Sequence, residues 1–118
     1  MVAHQSCVSV MAEDENKILA GFAIGQYGDR QTYRHASIVS IDVSPDYRRR
    51  GLGRQLMQWM EGRLHERGAQ SVRLEVAVDD PEAIGFYRHL GYRATRRIQN
   101  YYMNSLDAFV MEKYLPPQ

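Results

Sequence analysis

The hydrophobic pattern of this chain changes period once, across a proline, and that switch limits the folds open to it. Before Pro45, Ile38, Val39, Ile41 and Val43 make the apolar run of a mostly buried strand, placed over residues 33–43. After it, Leu52, Leu56, Met57, Met60 and Leu64 recur at helical spacings, the stripe of an amphipathic helix. Gly68 is suited to end that helix. Val72, Leu74, Val76 and Val78 then alternate with Arg73, Glu75 and Ala77, and the period returns to that of a strand. A strand–helix–strand succession needs a crossover, which favours parallel pairing of the two strands.

The flanks read as antiparallel. Val8 and Val10 alternate with Ser9, residues 13–16 form an acidic turn, and residues 18–27 make a second strand with Gly21 and Gly25 inside it. Residues 28–30 read as another turn, so three strands form a meander. Downstream, Asp79-Asp80-Pro81 opens a second helix, with an acidic cap and a proline where a missing N–H costs nothing. Ala83, Ile84, Phe86, Tyr87 and Leu90 give it an apolar face, and Gly91 closes it. Strands are expected near 92–98 and 109–114, with a polar loop between them. The predicted order is β-β-β-α-β-α-β-β. It describes an α/β fold, a mixed and mostly antiparallel sheet with a central β-α-β-α unit, as one domain over residues 1–118. A chain of 118 residues can bury about two-thirds of its unfolded surface without a staple.

Composition removes several functions. Fifteen Lys and Arg against 14 Asp and Glu leave a net charge of +1, which draws the chain to neither nucleic acid nor an anionic membrane. Cys7 is the one cysteine, so there is no disulfide or cysteine-cluster zinc site, and a buried or idle thiol is expected there. His4, His35, His65 and His89 lack metal-ligand spacing, and no metal is expected. No apolar run approaches the length of about 18 residues needed to span a bilayer, and no basic-then-apolar segment opens the chain. A cytoplasmic protein is the expectation.

The chemistry concentrates in Arg48-Arg49-Arg50-Gly51-Leu52-Gly53-Arg54, between a strand end and a helix start. Two glycines permit a tight turn and close backbone approach, and the unpaired N–H groups of a helix start suit a phosphate. Four arginines in seven residues add charge and bidentate donors, and a pyrophosphate is the natural guest. The alternative is a solvated basic turn. Neither the nucleotide P-loop pattern nor the dinucleotide fingerprint is present.

Arg48-x-x-Gly51-x-Gly53 resembles the Arg/Gln-x-x-Gly-x-Gly/Ala signature of the GCN5-related N-acetyltransferases. Residues 41–53 look like that family's fourth strand and pyrophosphate loop. Leu74-Glu75-Val76 and residues 83–92 look like its fifth strand and fourth helix. Asn100-Tyr101-Tyr102 and residues 107–111 resemble the branch that acetylates protein N-termini, including ribosomal-protein alanine acetyltransferases. The likeness covers roughly residues 18–115. It implies acetyl-CoA as cosubstrate, with the backbone of Arg49, Arg50, Gly51, Leu52, Gly53 and Arg54 holding its pyrophosphate beside Arg48. It further implies that Ile41 and Val43 pair with the pantetheine arm between two splayed strands. The Val43 N–H would face the thioester carbonyl, Tyr87 would protonate the departing thiolate, and Glu75 would serve as general base. The family commonly has asparagine at the position of Asp80, where it helps hold the cofactor side; aspartate cannot donate as the amide does, but remains a sound cap.

An amine attacks a thioester only when neutral, so a proton acceptor is needed. Glu75 lies on the strand face opposite Val72, Leu74 and Val76; its alternatives are solvent or an ion pair with Arg73 or another arginine. Tyr87 is either the acid or a core aromatic, and Tyr101 and Tyr102 either line the acceptor cleft or pack at a loop edge. Met57, Trp59 and Met60 read as core, and Arg93, Arg96 and Arg97 as a second basic cluster facing water, a partner or a cofactor phosphate. Members of the family usually begin with one more strand and a helix pair, which this sequence does not show. A homodimer filling that gap is the expectation. The implied reaction is direct acetyl transfer to a primary amine, a peptide or protein N-terminus first and a small-molecule amine second. A non-catalytic acyl-CoA-binding module is the rival from another class.

Overall fold

The computed structural model describes residues 7–27, 35–101 and 106–116. Its elements follow the expected order: β1 (Cys7–Glu13), β2 (Leu19–Tyr27), β3 (His35–Val43), α1 (Leu52–Glu66), β4 (Ser71–Ala77), α2 (Pro81–His89), β5 (Arg93–Ile98) and β6 (Ala108–Tyr114). One turn of 3-10 helix at Pro45–Tyr47 joins β3 to the arginine loop. The six strands form one sheet in the order β1-β2-β3-β4-β6-β5. Four pairings are antiparallel, and β3 with β4 is the parallel one that the crossover helix requires. This is the mixed, mostly antiparallel α/β sheet expected from the sequence.

The two glycines inside β2 are there for the helix. A Cβ on Gly25 would meet the Met60 sulfur at 2.7 Å. A Cβ on Gly21 would meet the Asp42 carbonyl oxygen at 2.9 Å and Leu56 at 3.2 Å. Their bareness lets α1 settle onto β2, burying Leu56, Met57, Met60 and Leu64 against Ala23, Ala36, Ile38, Val72 and Leu74. Behind this layer is a polar tie. The buried Tyr92 hydroxyl donates to Glu61 Oε2 at 2.7 Å, and Lys113 Nζ donates to Glu61 Oε1 at 2.8 Å. It fastens α1 to β6 and to the turn entering β5.

Three expectations need correction. The third strand is half-buried rather than mostly buried: Ala36 and Ile38 are covered while Val39 is 57% exposed, because the helices pack on one face of the sheet. Trp59 does not join Met57 and Met60 in the core. It is 42% exposed on the outer side of α1, with the Arg63 guanidinium 5.5 Å over its ring. Cys7 is exposed rather than buried. Tyr102 and residues 28–34 lie outside the described residues.

A cleft between two splayed strands

The parallel pair β3–β4 holds register at three positions only: His35 with Ser71, Ala36 with Val72 and Ser37 with Arg73. A hydrogen bond of 2.7 Å between His35 Nδ1 and Ser71 Oγ fastens that end. Beyond it the strands part. β3 continues to Val43 paired with β2 alone, while β4 continues to Ala77 paired with β6 alone.

The free edge of β3 has a defined polarity. Ser44 N–H donates to the Ala20 carbonyl at 2.8 Å, which makes those two residues a hydrogen-bonded pair across β2 and β3. In an antiparallel ladder such pairs alternate with pairs whose backbone groups point outward. Val43 opposite Gly21, and Ile41 opposite Ala23, are therefore of the outward kind. Their N–H and C=O groups face the gap. The Val43 carbonyl is already used, accepting from Arg48 Nε at 3.0 Å. The Val43 and Ile41 amides remain directed into the opening.

At the mouth of the gap the chain turns sharply into α1. Arg49 has φ +63° and Gly51, the helix cap, has φ +82°. Gln55 N–H donates to the Gly51 carbonyl at 3.0 Å and makes the first helical bond. The amides of Leu52, Gly53 and Arg54 consequently have no partner within the helix. A Cβ on Gly51 would touch nothing within 4 Å, so that side of the turn is open to an approaching group. Gly53 is different: a Cβ there would sit 3.2 Å from Phe86, so its absence lets α1 press against α2.

The second helix closes the other wall. Asp80 caps it, accepting from Ala83 N–H at 3.1 Å, as the sequence indicated. Tyr87 lies half-buried between Phe86 and Tyr92, in edge-to-face contacts with ring centroids 5.2 and 5.9 Å away. The resulting cleft has a volume of about 820 Å³. Of the site residues expected from sequence, it gathers Ile41, Val43, Arg48, Arg49, Gly51, Gly53, Arg54, Asp80 and Tyr87.

Three expected site residues are not among its lining. The Leu52 side chain packs against the core. Arg50 lies with its guanidinium 5.3 Å over the Tyr47 ring. Glu75 is half-buried on the sheet face away from the helices, its Oε1 3.3 Å from Arg73 Nη2. That is the ion pair weighed as its alternative. Arg97 pairs with Asp107 at 2.7 Å, and Arg93 and Arg96 are exposed along the edge strand β5.

The sequence reading missed Tyr47, Asp42, Glu82 and Phe86, which also line the cleft. Tyr47 donates its hydroxyl to Asp14 Oδ2 at 2.6 Å. That contact holds the Asp14 carboxyl below the usual carboxylate range and raises the Tyr47 phenol. Among the described residues, no group of three or more His, Cys, Asp or Glu could hold a metal ion, and no helix is long and apolar enough to cross a membrane.

Residues 2–92 match the acetyltransferase (GNAT) family as a sequence profile. The chain is 32% identical over 101 residues to N-alpha-acetyltransferase 30 of Schizosaccharomyces pombe, covering 86% of this chain and 67% of that protein. It is 36% identical over 100 residues to the ribosomal protein bS18-alanine N-acetyltransferase of Escherichia coli, covering 82% of this chain and 65% of that protein. The chain thus spans about two thirds of the length of these curated relatives. Among solved structures, Chaetomium thermophilum Naa20 in complex with a bisubstrate analogue superposes with a TM-score of 0.82. It is 30% identical, with 89% of this chain and 64% of that chain covered.

Proposed function

The chain belongs to the GNAT family of acetyltransferases, and from that membership we propose that it transfers an acetyl group from acetyl-CoA to a primary amine, preferably the free N-terminus of a peptide or protein. The observation that carries this is the gap between β3 and β4, where the Ile41 and Val43 amides and the first turn of α1 converge on one cleft.

The donor groups fit a pantetheine pyrophosphate. An extended arm carrying amides can take the place of the missing strand beside Ile41 and Val43, and a pyrophosphate can meet the N–H groups from Gly51 to Arg54. Arg48, Arg49 and Asp80 stand around it. Acetyl-CoA supplies the activated acyl thioester. In the proposed reaction, Glu75 accepts the proton of the attacking amine from the open side of the sheet. The Val43 N–H faces the acyl oxygen, where negative charge develops, and the Tyr87 hydroxyl gives its proton to the leaving sulfur. The acetyl carbon gains a bond to nitrogen and loses one to sulfur, with no covalent enzyme intermediate. The N-terminal acceptor is supported by the curated relatives, whose names specify N-alpha and alanine N-acetyltransfer.

A supply of acetyl-CoA favours the cytoplasm as the compartment. A homodimer is supported by the sheet face away from the helices, where Met11 is 67% and Val39 57% exposed. A chain that sediments as a monomer across micromolar concentrations contradicts it.

Calorimetric titration with acetyl-CoA tests the cleft. Micromolar binding that weakens in an Arg48→Ala/Arg49→Ala variant is expected; no binding by the wild-type chain refutes the reading. With peptide acceptors, Glu75→Gln lowers turnover most near neutral pH and less where the amine is already deprotonated. A second reading, an acyl-CoA-binding module without turnover, draws on the Glu75–Arg73 ion pair. Tight binding with no free thiol released over any amine selects it.

A further inference from the structure

The turn between β1 and β2 is 33 residues from Tyr47 in sequence, yet it holds Tyr47 directly. Asp14 is the organising residue of that turn. Its Oδ1 accepts from Asn16 N–H at 2.8 Å and Ile18 N–H at 3.0 Å. Its own N–H donates to the Ile18 carbonyl at 3.0 Å, and its carbonyl accepts from Lys17 N–H at 2.9 Å. Two backbone hydrogen bonds hold Asp14 in the turn, and two more to Oδ1 fix the orientation of its carboxylate and leave Oδ2 for Tyr47, which occupies it at 2.6 Å. The phenol cannot swing without giving up a bond to a charged acceptor.

Tyr47 in turn governs the arginine loop. It ends the single 3-10 turn, with its N–H on the Ser44 carbonyl at 2.8 Å, and it lines the cleft. Its ring carries the Arg50 guanidinium at 5.3 Å. Arg50 sits between Arg49 and Gly51, both in the left-handed region at φ +63° and +82°. Parking its side chain on Tyr47 keeps a long, mobile cation off the open amides of the turn.

We propose that Asp14 and Tyr47 form a strut from the β1–β2 turn that presets the phosphate-binding loop, with Asp14 acting as a positioning residue through Tyr47. This rests on the reading of the cleft as the acetyl-CoA site. Asp14 touches no ligand in this account. Its effect passes through the Tyr47 hydroxyl, and that dependence is what separates it from a residue that merely stabilises a turn.

The test is calorimetric titration of coenzyme A into wild type, Tyr47→Phe, Asp14→Ala and the double variant, with thermal melts to show each is folded. Losing one hydrogen bond of this kind weakens binding by about five-fold. Each single variant is expected to show that loss, and the double variant no more than either single. In proton NMR, the ring-current shift of the Arg50 side chain relaxes in Asp14→Ala, although Tyr47 is still present. Unchanged coenzyme A binding in Tyr47→Phe, multiplying losses in the double variant, or an undisturbed Arg50 signal in folded Asp14→Ala overturns the strut. If wild type itself binds no coenzyme A, the cleft reading fails and the strut with it. Equal binding by all four proteins overturns the strut alone.

Discussion

Replacing Glu61 by glutamine changes one oxygen to an amide nitrogen and tests the tie that joins α1, Tyr92 and β6. The Tyr92 hydroxyl keeps an acceptor, because glutamine retains one oxygen. Lys113 does not: the new NH₂ group presents donors where Nζ needs an acceptor 2.8 Å away. The side chains of Glu61 and Lys113 are 12% and 26% exposed, so water relieves the mismatch only in part. A hydrogen bond to a charged group is worth about 1.5–3 kcal/mol, and discounting for the wet side of Lys113 leaves about 2 kcal/mol. For a chain of this size that corresponds to a fall in Tm of about 8 °C. Tyr92→Phe leaves the Glu61–Lys113 pair intact and should cost about 1 kcal/mol. Urea denaturation of Glu61→Gln, Lys113→Met and their double variant gives the coupling directly. The double variant removes the donor facing the amide and should lose less than the sum of the singles by about 1 kcal/mol. Strict additivity, or a Glu61→Gln midpoint within error of wild type, refutes the picture of a desolvated, geometrically committed tie.

The glycines of β2 and α1 predict opposite signs. Gly21→Ala places a Cβ 2.9 Å from the Asp42 backbone oxygen, which no side-chain rotation relieves, and should destabilise by about 2 kcal/mol. Gly62→Ala, in the exposed interior of α1 with nothing within 4 Å of its Cβ, should stabilise by about 1 kcal/mol. A denaturant midpoint that rises in Gly21→Ala contradicts the first, and one that falls in Gly62→Ala contradicts the second. Burial first, and then Glu61, push the Tyr92 phenol up. Its contribution is therefore complete below the unfolded value of about 10 and is lost as pH climbs above that. Stability measured from pH 9 to 11 should fall more steeply in wild type than in Tyr92→Phe; parallel slopes refute this.

Local chemistry was legible where neighbours in sequence decide it. The change of period across Pro45 located β3 and α1, and Asp79-Asp80-Pro81 gave both the cap and the helix start. Gly68 and Gly91, at φ +102° and +101°, follow the helix ends as expected. What failed was what distant neighbours decide. Val39 is apolar yet exposed because both helices pack on the other face of the sheet, and periodicity does not say which face is covered. Trp59 lies one position from the core residue Met60 and two from Met57 but points outward, since its place on the helix turns it from β2. The cleft residues were foreseen where the motif is contiguous. Tyr47 was overlooked because its partner Asp14 is on another hairpin, and no spacing rule connects them. Arg50 was grouped with its neighbours by composition, whereas ring contact sends its side chain elsewhere.

The short register between β3 and β4 has a mechanical side. With three paired positions at one end, the sheet is two slabs, β1-β2-β3 and β4-β6-β5, joined by backbone only near the His35–Ser71 clasp. Past that point the slabs are held by side chains, with Leu56 and Met57 packed against Leu74 and Val76. Dispersion contacts yield gradually with distance, whereas ladder hydrogen bonds break in steps. The sheet is therefore most compliant along the line where the cleft opens, and widening that line breaks no ladder hydrogen bond.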